Sequence, residues 1–454
     1  MLVAGASGFV GRALGPALAT RFRVVGLSRH DRDGSDGYDR FLRCDLLALE
    51  DTERALVGVR YAVYLVHSMM PSARLTQAPF ADIDLLCADN FARAAAKAGV
   101  ERIVYLGGLI AREDHGLSEH LRSRLEVERV LGSTGVPVTV LRAGLILGAA
   151  GSSYQIVSRL VRRLPVMVCP RWTHTRTQPI ALADVVKLLA FAIDDPASAG
   201  QVFDIAAPEV VSYLEIMRRF AALSGVRRRF VGVPLFSPGL SRLWLSLVTG
   251  APRALAGPLV ESLRHEMTAR DLRLAAAAGL VPTPFEAALA AAVAEDRRLV
   301  ADPFAAAPKD PTPTRSTVLS IQRMAVPAGR DAAWIAARYS RWSARNLGWF
   351  LGVVHDDDGT VRFRLRVVGV DLLVLRPLRE RCGPDRFVYG IVGGWLAEPG
   401  QSGTFEFRTS GETIALTIVR EFEPHLPWWI YRVTQAIAHA WVMWAFGRSL
   451  RAAE

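Results

Sequence analysis

The chain has 454 residues, too many for a single hydrophobic core, so two or three domains are expected. Its net charge of +11 is carried almost wholly by arginine; lysine occurs only at Lys97, Lys187 and Lys309, which leaves few candidates for a catalytic amine. A basic balance suits nucleic acid, an anionic membrane surface or an anionic cofactor, but the arginines are dispersed apart from Arg227, Arg228 and Arg229, and no RNA- or DNA-binding motif accompanies them, so no nucleic-acid partner is expected.

The four cysteines, Cys44, Cys87, Cys169 and Cys382, lie far apart without metal-ligand spacing. They read as free thiols of a reducing, cytoplasmic compartment, and no metal site is expected. The first residues already form a strand and its turn, so no signal peptide is expected.

That opening stretch, Met1 to Arg12, organises the reading. Leu2, Val3 and Ala4 make a short buried strand, and a helix starts near Phe9. Gly5, Gly8 and Gly11 between them follow G-x-x-G-x-x-G, a variant of the dinucleotide fingerprint G-x-G-x-x-G. Small residues let the backbone approach a pyrophosphate, and the N–H groups at a helix start point at the anion. Such a loop is also found as a tight turn that binds nothing. The regular strand–helix alternation that follows favours a dinucleotide, with Gly5, Ser7, Gly8, Phe9, Val10, Gly11 and Arg12 as its contacts.

The second strand, Arg23 to Leu27, ends at Ser28 and Arg29. An acidic residue there would bind a ribose 2′-hydroxyl, whereas an arginine accommodates a 2′-phosphate, so Arg29, with Arg12, favours NADP over NAD. Phe41 to Cys44 is the third strand; Asp45 and Leu46 follow it, where a carboxylate can accept from an adenine amino group. Asp51 is expected to cap the next helix. Tyr61 to Val66 suits a central parallel strand and ends at His67, on the side where open α/β sheets bind ligands. A helix over 82–98, a strand over 102–106 ending in Gly107-Gly108, a helix over 118–131 and a strand over 136–141 complete a doubly wound parallel sheet of Rossmann type.

Beyond about residue 150 the pattern loosens into a small helical region walling the substrate side, to about residue 300. Residues 301–314, with Pro303, Pro308, Pro311 and Pro313, read as a linker. From 315 to 454 the grammar changes to six strands (318–324, 361–367, 371–375, 387–394, 403–409 and 412–421), a helix over 332–345 and a final helix over 427–448. This is an α+β domain with a cavity between sheet and helix. Arg432, Gln435 and His439 interrupt the tryptophan-rich last helix, which favours a buried or cavity-lining helix over a membrane span. A peripheral membrane contact through its tryptophans is the less favoured alternative.

The residues Gly5 to Gly11, Asp45-Leu46, Asn90-Phe91 and the 271–289 segment resemble the extended short-chain dehydrogenase superfamily. Val66 to Met69, Tyr105 to Leu109, His120 to Arg124 and Gln178 to Ile180 look like its atypical branch of YbjT-type NAD(P)-binding proteins. The resemblance implies a C-terminal domain of START-like, helix-grip kind, matched here by domain order and by Trp395 to Gly403. It also implies an acid–base pair of tyrosine and, four residues on, lysine. Here those positions hold His120 and Arg124, and Gly107-Gly108 replaces the serine that usually ends the fifth strand.

An arginine can bind ribose but does not shuttle protons, while a histidine can act as acid or base near neutral pH. Two functions follow. One is an NADP-dependent oxidoreductase on an apolar small molecule, with His120 moving the proton and Arg124 on ribose. The other is a non-catalytic NADP-binding sensor or structural protein whose C-terminal domain holds a hydrophobic molecule or lipid.

Overall fold

The computed structural model describes residues 1–34, 36–67, 75–110, 116–233, 261–298, 317–398, 400 and 403–451. They fall into two compact units, Met1–Met69 with Asp84–Pro308, and Met70–Ile83 with Lys309–Glu454. The proline-rich 301–314 stretch, Ser68-Met69 and residues 234–260 lie outside the described residues.

The first unit is built on seven strands: β1 (Leu2–Ala4), β2 (Val25–Ser28), β3 (Arg40–Arg43), β4 (Tyr61–Tyr64), β6 (Arg102–Gly108), β7 (Val138–Ala143) and β8 (Val202–Ile205). All pair in parallel, in the order β8-β7-β6-β4-β1-β2-β3. The helices α1 (Phe9–Ala19), α2 (Leu49–Leu56), α3 (Phe80–Lys97), α4 (Glu119–Leu131), α5 (Ser152–Arg163) and α6 (Leu182–Asp194) intervene. A parallel sheet covered on both faces needs continuous apolar strands, and β1 is wholly buried. The chain winds from β1 out to β2 and β3, then crosses to β4 on β1's other side. The crevice above β1 and β4 is therefore the topological switch point at which open α/β sheets hold ligands.

Ser118 caps α4, its Oγ accepting from the Leu121 N–H. The cap expected of Asp51 is different. Helix α2 starts at Leu49 with Ala48 as its N-cap, and Asp51 lies in the first turn beside Glu50. There both carboxylates complement the helix dipole. A second core forms from α5, α7 (Tyr213–Leu223) and α9 (Phe285–Asp296), after the short α8 (Arg273–Ala277). Ser212 and Glu215 close a capping box at the start of α7.

The second unit is an eight-stranded sheet. Its strands are β9 (Val318–Ala325), β10 (Leu351–His355), β11 (Val361–Leu365), β12 (Val370–Pro377), β13 (Arg386–Gly393), β14 (Thr404–Ser410), β15 (Ile414–Phe422) and the short β5 (Leu75–Gln77). The order is β10-β11-β12-β13-β14-β15-β9-β5, antiparallel throughout except that β5 runs parallel to β9. Two of these strands, β10 and β5, were not expected from the sequence: three residues cannot display an alternation, and Leu351–His355 follows the Asn346–Gly348 helix stop with a run, Leu-Gly-Val-Val-His, that does not alternate.

Helix α10 (Ala332–Asn346) contributes Tyr339, whose ring meets those of Phe363, Phe405, Phe407 and Phe446 at 5.1–6.0 Å between centroids. Glu406 is buried between Arg386 (3.0 Å) and Arg408 (2.6 Å), and Arg408 is only 1% exposed. Burial alone would raise the Glu406 carboxyl, but the two guanidinium groups hold it below its ordinary value.

The single last helix read from sequence is two. Helix α11 (Trp428–Val433) stops at Thr434, which leaves helical geometry at φ −122, ψ −84 and turns its hydroxyl onto the Ile430 carbonyl at 2.6 Å. Helix α12 (Gln435–Arg451) follows. Gln435, Ala438, His439 and Val442 line a cavity, while Trp429, Val433, Ile437, Trp441 and Trp444 are exposed. Among the described residues no helix is long and apolar enough to cross a membrane.

Candidate functional site

The glycine loop follows β1 directly. Gly5 has φ +88, a left-handed conformation that L side chains avoid, and an added Cβ would lie 3.0 Å from the Leu65 backbone of the neighbouring strand end. At Gly11 a Cβ would fall 2.3 Å from the Gly5 carbonyl oxygen, so only glycine lets the first turn of α1 settle against the loop. The Tyr38 hydroxyl donates to the Gly11 carbonyl at 2.7 Å and holds that turn from outside. Gly8 is the N-cap of α1 and no side chain caps it. The start of α1 thus presents backbone N–H groups at the switch point, and these residues fit a dinucleotide pyrophosphate.

The other expected contacts sit on the same rim. Ser28 ends β2, buried, its Oγ accepting from the His30 N–H at 3.2 Å. Arg29, next along, is exposed, as is Arg12; neither has an ion-pair partner among the described residues. Asp45 follows β3 and accepts from the Leu47 N–H at 3.1 Å. The Leu46 carbonyl accepts from the Asn90 side chain at 2.8 Å, which ties α3 to the end of β3. Gly107 lies near the end of β6.

His67, just past β4, and His120, on α4, come together although 53 positions separate them. Their Nε2 atoms are 3.0 Å apart. His67 Nδ1 lies 2.7 Å from Asp84 Oδ2, and His120 Nδ1 lies 3.1 Å from Ser262 Oγ. Ser262 Oγ in turn lies 3.0 Å from Ser118 Oγ.

The network assigns its own protons. A carboxylate only accepts, so with Asp84 as carboxylate His67 donates through Nδ1 and offers Nε2 as acceptor. His120 must then donate through Nε2, which leaves its Nδ1 to accept from the Ser262 hydroxyl. On this assignment every proton points from Ser262 toward Asp84.

Burial lowers the pKa of both rings. For His67 desolvation outweighs the Asp84 hydrogen bond. For His120 desolvation, with His67 and Arg124 nearby, brings it to about 3. Both are neutral imidazoles at pH 7.

Arg124 stands one turn after His120. Its Nη1 donates to the Val66 carbonyl at 3.2 Å and its Nη2 to the Leu106 carbonyl at 2.6 Å, and its guanidinium lies 4.9 Å from the Tyr105 ring centroid. The sequence reading sets this residue on ribose; these bonds tie together the strand ends after β4 and in β6.

Two members of the cluster, Asp84 and Ser262, were not singled out in the sequence. Asp84 had a readable signal: it shares the α3 face of Ala88, Phe91 and Ala95, all fully buried, and a carboxylate on an apolar face needs a partner. Ser262 had none, since only the tertiary fold brings it to His120.

Residues 5–196 match the model of a family described as NAD(P)H-binding. The first unit carries an NAD(P)H-binding domain. The auxiliary protein GraX of Staphylococcus aureus is 29% identical over 140 residues, which is 30% of this chain and 42% of GraX, so the match spans less than half of that relative. Three solved structures show the same fold. A nucleoside-diphosphate-sugar epimerase of Staphylococcus aureus aligns at TM-score 0.52 and 16% identity, over 64% of this chain and 99% of its own. The Citrobacter triphenylmethane reductase complexed with NADP(H) aligns at 0.50 and 17%, over 64% and 99%. The Thermotoga maritima UDP-glucose 4-epimerase aligns at 0.51 and 17%, over 65% and 98%. At these identities the likeness is one of fold. It agrees with the parallel sheet and switch point of the first unit, and the NAD(P)H-binding match falls on the segment that holds the glycine loop, His67, Asp84 and His120.

Proposed function

We propose that this chain is a cytoplasmic NADP(H)-dependent oxidoreductase acting on an alcohol or carbonyl group of an apolar small molecule. The observation that carries the reading is the Asp84–His67–His120–Ser262 chain at the carboxyl ends of the strands beside the glycine loop. The bound nicotinamide supplies the hydride chemistry. This chain's residues supply the proton path. An alcohol proton enters at Ser262, His120 Nδ1 takes the serine proton, and Asp84 balances the charge through His67; carbonyl reduction runs the same path backwards.

Gly5, Ser7, Gly8, Phe9, Val10 and Gly11 would hold the pyrophosphate, Arg29 and Arg12 the 2′-phosphate beside Ser28, Asp45 and Leu46 the adenine side, and His67 and Gly107 the nicotinamide side. Arg124 is a positioning residue that fixes the floor on which His67 stands.

The test is NADPH oxidation across a panel of carbonyls and quinones, and NADP⁺ reduction across alcohols, with wild type and His120→Ala. Turnover in the wild type that falls about 100-fold or more in the variant supports the reading. Tight NADPH binding without turnover on any substrate rejects it.

A second reading, a non-catalytic NADP(H)-binding protein, draws support from the missing tyrosine–lysine pair and from Arg124 being engaged with backbone carbonyls. In both readings the second unit is a START-like module that holds a hydrophobic ligand, supported by its long antiparallel sheet, its helices α10 and α12, and the apolar cavity they line.

A further inference from the structure

The cavity of the second unit has a volume of about 240 Å³ and lies between α10, α12 and the sheet. Phe363, Phe405 and Ile391 are among its apolar walls, and among the described residues no charged side chain lines it. Gln435 and His439 are one turn apart on α12, which sets them on the same face, and both face the cavity. Neither has a hydrogen-bond partner among the described residues, and the Gln435 Oε1 is fully buried. Buried polar atoms in native proteins are nearly always paired, so two unpaired groups on one cavity wall call for a partner that comes from outside the chain. The ring of His439 is desolvated and neutral, its pKa lowered to about 4 by burial alone. A neutral imidazole offers one donor and one acceptor, and an amide oxygen only accepts.

We propose that this cavity binds an uncharged aliphatic alcohol, its hydroxyl donating to Gln435 Oε1 and hydrogen-bonding to His439, its chain among Phe363, Phe405 and Ile391. The proposal rests on the reading of the second unit as a hydrophobic-ligand module and adds the head group that it selects. A carboxylate or phosphate is excluded because it would be buried with no cation to meet it. An ether or ketone fits the walls but cannot donate to the amide oxygen.

The experiment is calorimetric titration of the full chain with 1-octanol, methyl octyl ether and octanoate at about pH 8, where the acid is ionised. Octanol is expected to bind about tenfold more tightly than either competitor. Gln435→Leu and His439→Phe are expected to keep apolar binding but lose the preference of alcohol over ether. Ala438→Phe, which fills the cavity, abolishes all binding. The second unit keeps a cooperative urea transition in every variant, which shows that the unit holding the cavity is folded. Octanoate or the ether binding as tightly as octanol, or variants that keep the preference, overturns the head-group assignment alone. No binding of any of the three to wild type overturns the ligand-module reading together with it.

Discussion

Both units hold half-buried, neutral histidines, yet the two environments differ. In the first unit His67 and His120 are held in a continuous hydrogen-bonded series that ends on a carboxylate and a serine. In the second, His439 faces an apolar cavity with no partner among the described residues. Burial lowers the pKa of all three. The difference lies in what the ring is prepared to do. A ring with both nitrogens engaged in a directed series is set to pass a proton, whereas a ring with both nitrogens idle is set to recognise a polar group. Burial and a depressed pKa therefore do not tell the two settings apart; the partners do.

Five perturbations bear on this contrast, and the largest breaks the second unit's own buried ion cluster. Glu406→Ala removes the buried carboxylate that Arg386 and Arg408 share and is expected to destabilise that unit by about 3–5 kcal/mol in urea unfolding, with NADPH affinity unchanged. Asp84→Asn takes the carboxylate from the end of the histidine series. NADP-linked turnover is then expected to fall about 100-fold, or ~2.7 kcal/mol of barrier, with octanol binding untouched. Equal losses in both assays would show that the two sites are not separate.

Gly11→Ala drives a Cβ to 2.3 Å from the Gly5 carbonyl. A melting point lowered in line with about 1–3 kcal/mol is expected, together with weaker NADPH binding. Arg29→Asp is expected to shift the NADPH-to-NADH affinity ratio about tenfold toward NADH, ~1.4 kcal/mol, read by fluorescence titration of each nucleotide.

The smallest effect per step is that of acid. Unfolded histidine takes up a proton below about pH 6.5, whereas folded His120 refuses it until about 3. The unfolded state binds more protons in that window, so stability falls as pH drops through it, by at most about 1.4 kcal/mol per pH unit from this group. His439, at about 4, adds a loss of the same sign. Urea midpoints measured in wild type and His120→Phe isolate the first contribution: the variant's acid slope is expected to be the shallower.

What the chain alone determined is local. Gly5, Gly8 and Gly11 announce a loop whose backbone must come close to something, and apolar runs such as Tyr61–Tyr64 announce buried parallel strands, because both signals depend on residues adjacent in sequence. The parallel sheet, the glycine loop at its rim and a further C-terminal sheet were legible for that reason. Tertiary structure alone decided the rest. Leu75–Gln77 joins the C-terminal sheet because a single strand edge selects its neighbour by pairing, which no short stretch encodes. Asp84, His67, His120 and Ser262 become one hydrogen-bonded series because α3, α4 and two chain segments converge on one crevice. Helix α12 turns Gln435 and His439 toward a cavity only because Thr434 breaks it from α11. Each of these depends on distances between residues far apart in the chain, and packing sets those distances where periodicity cannot.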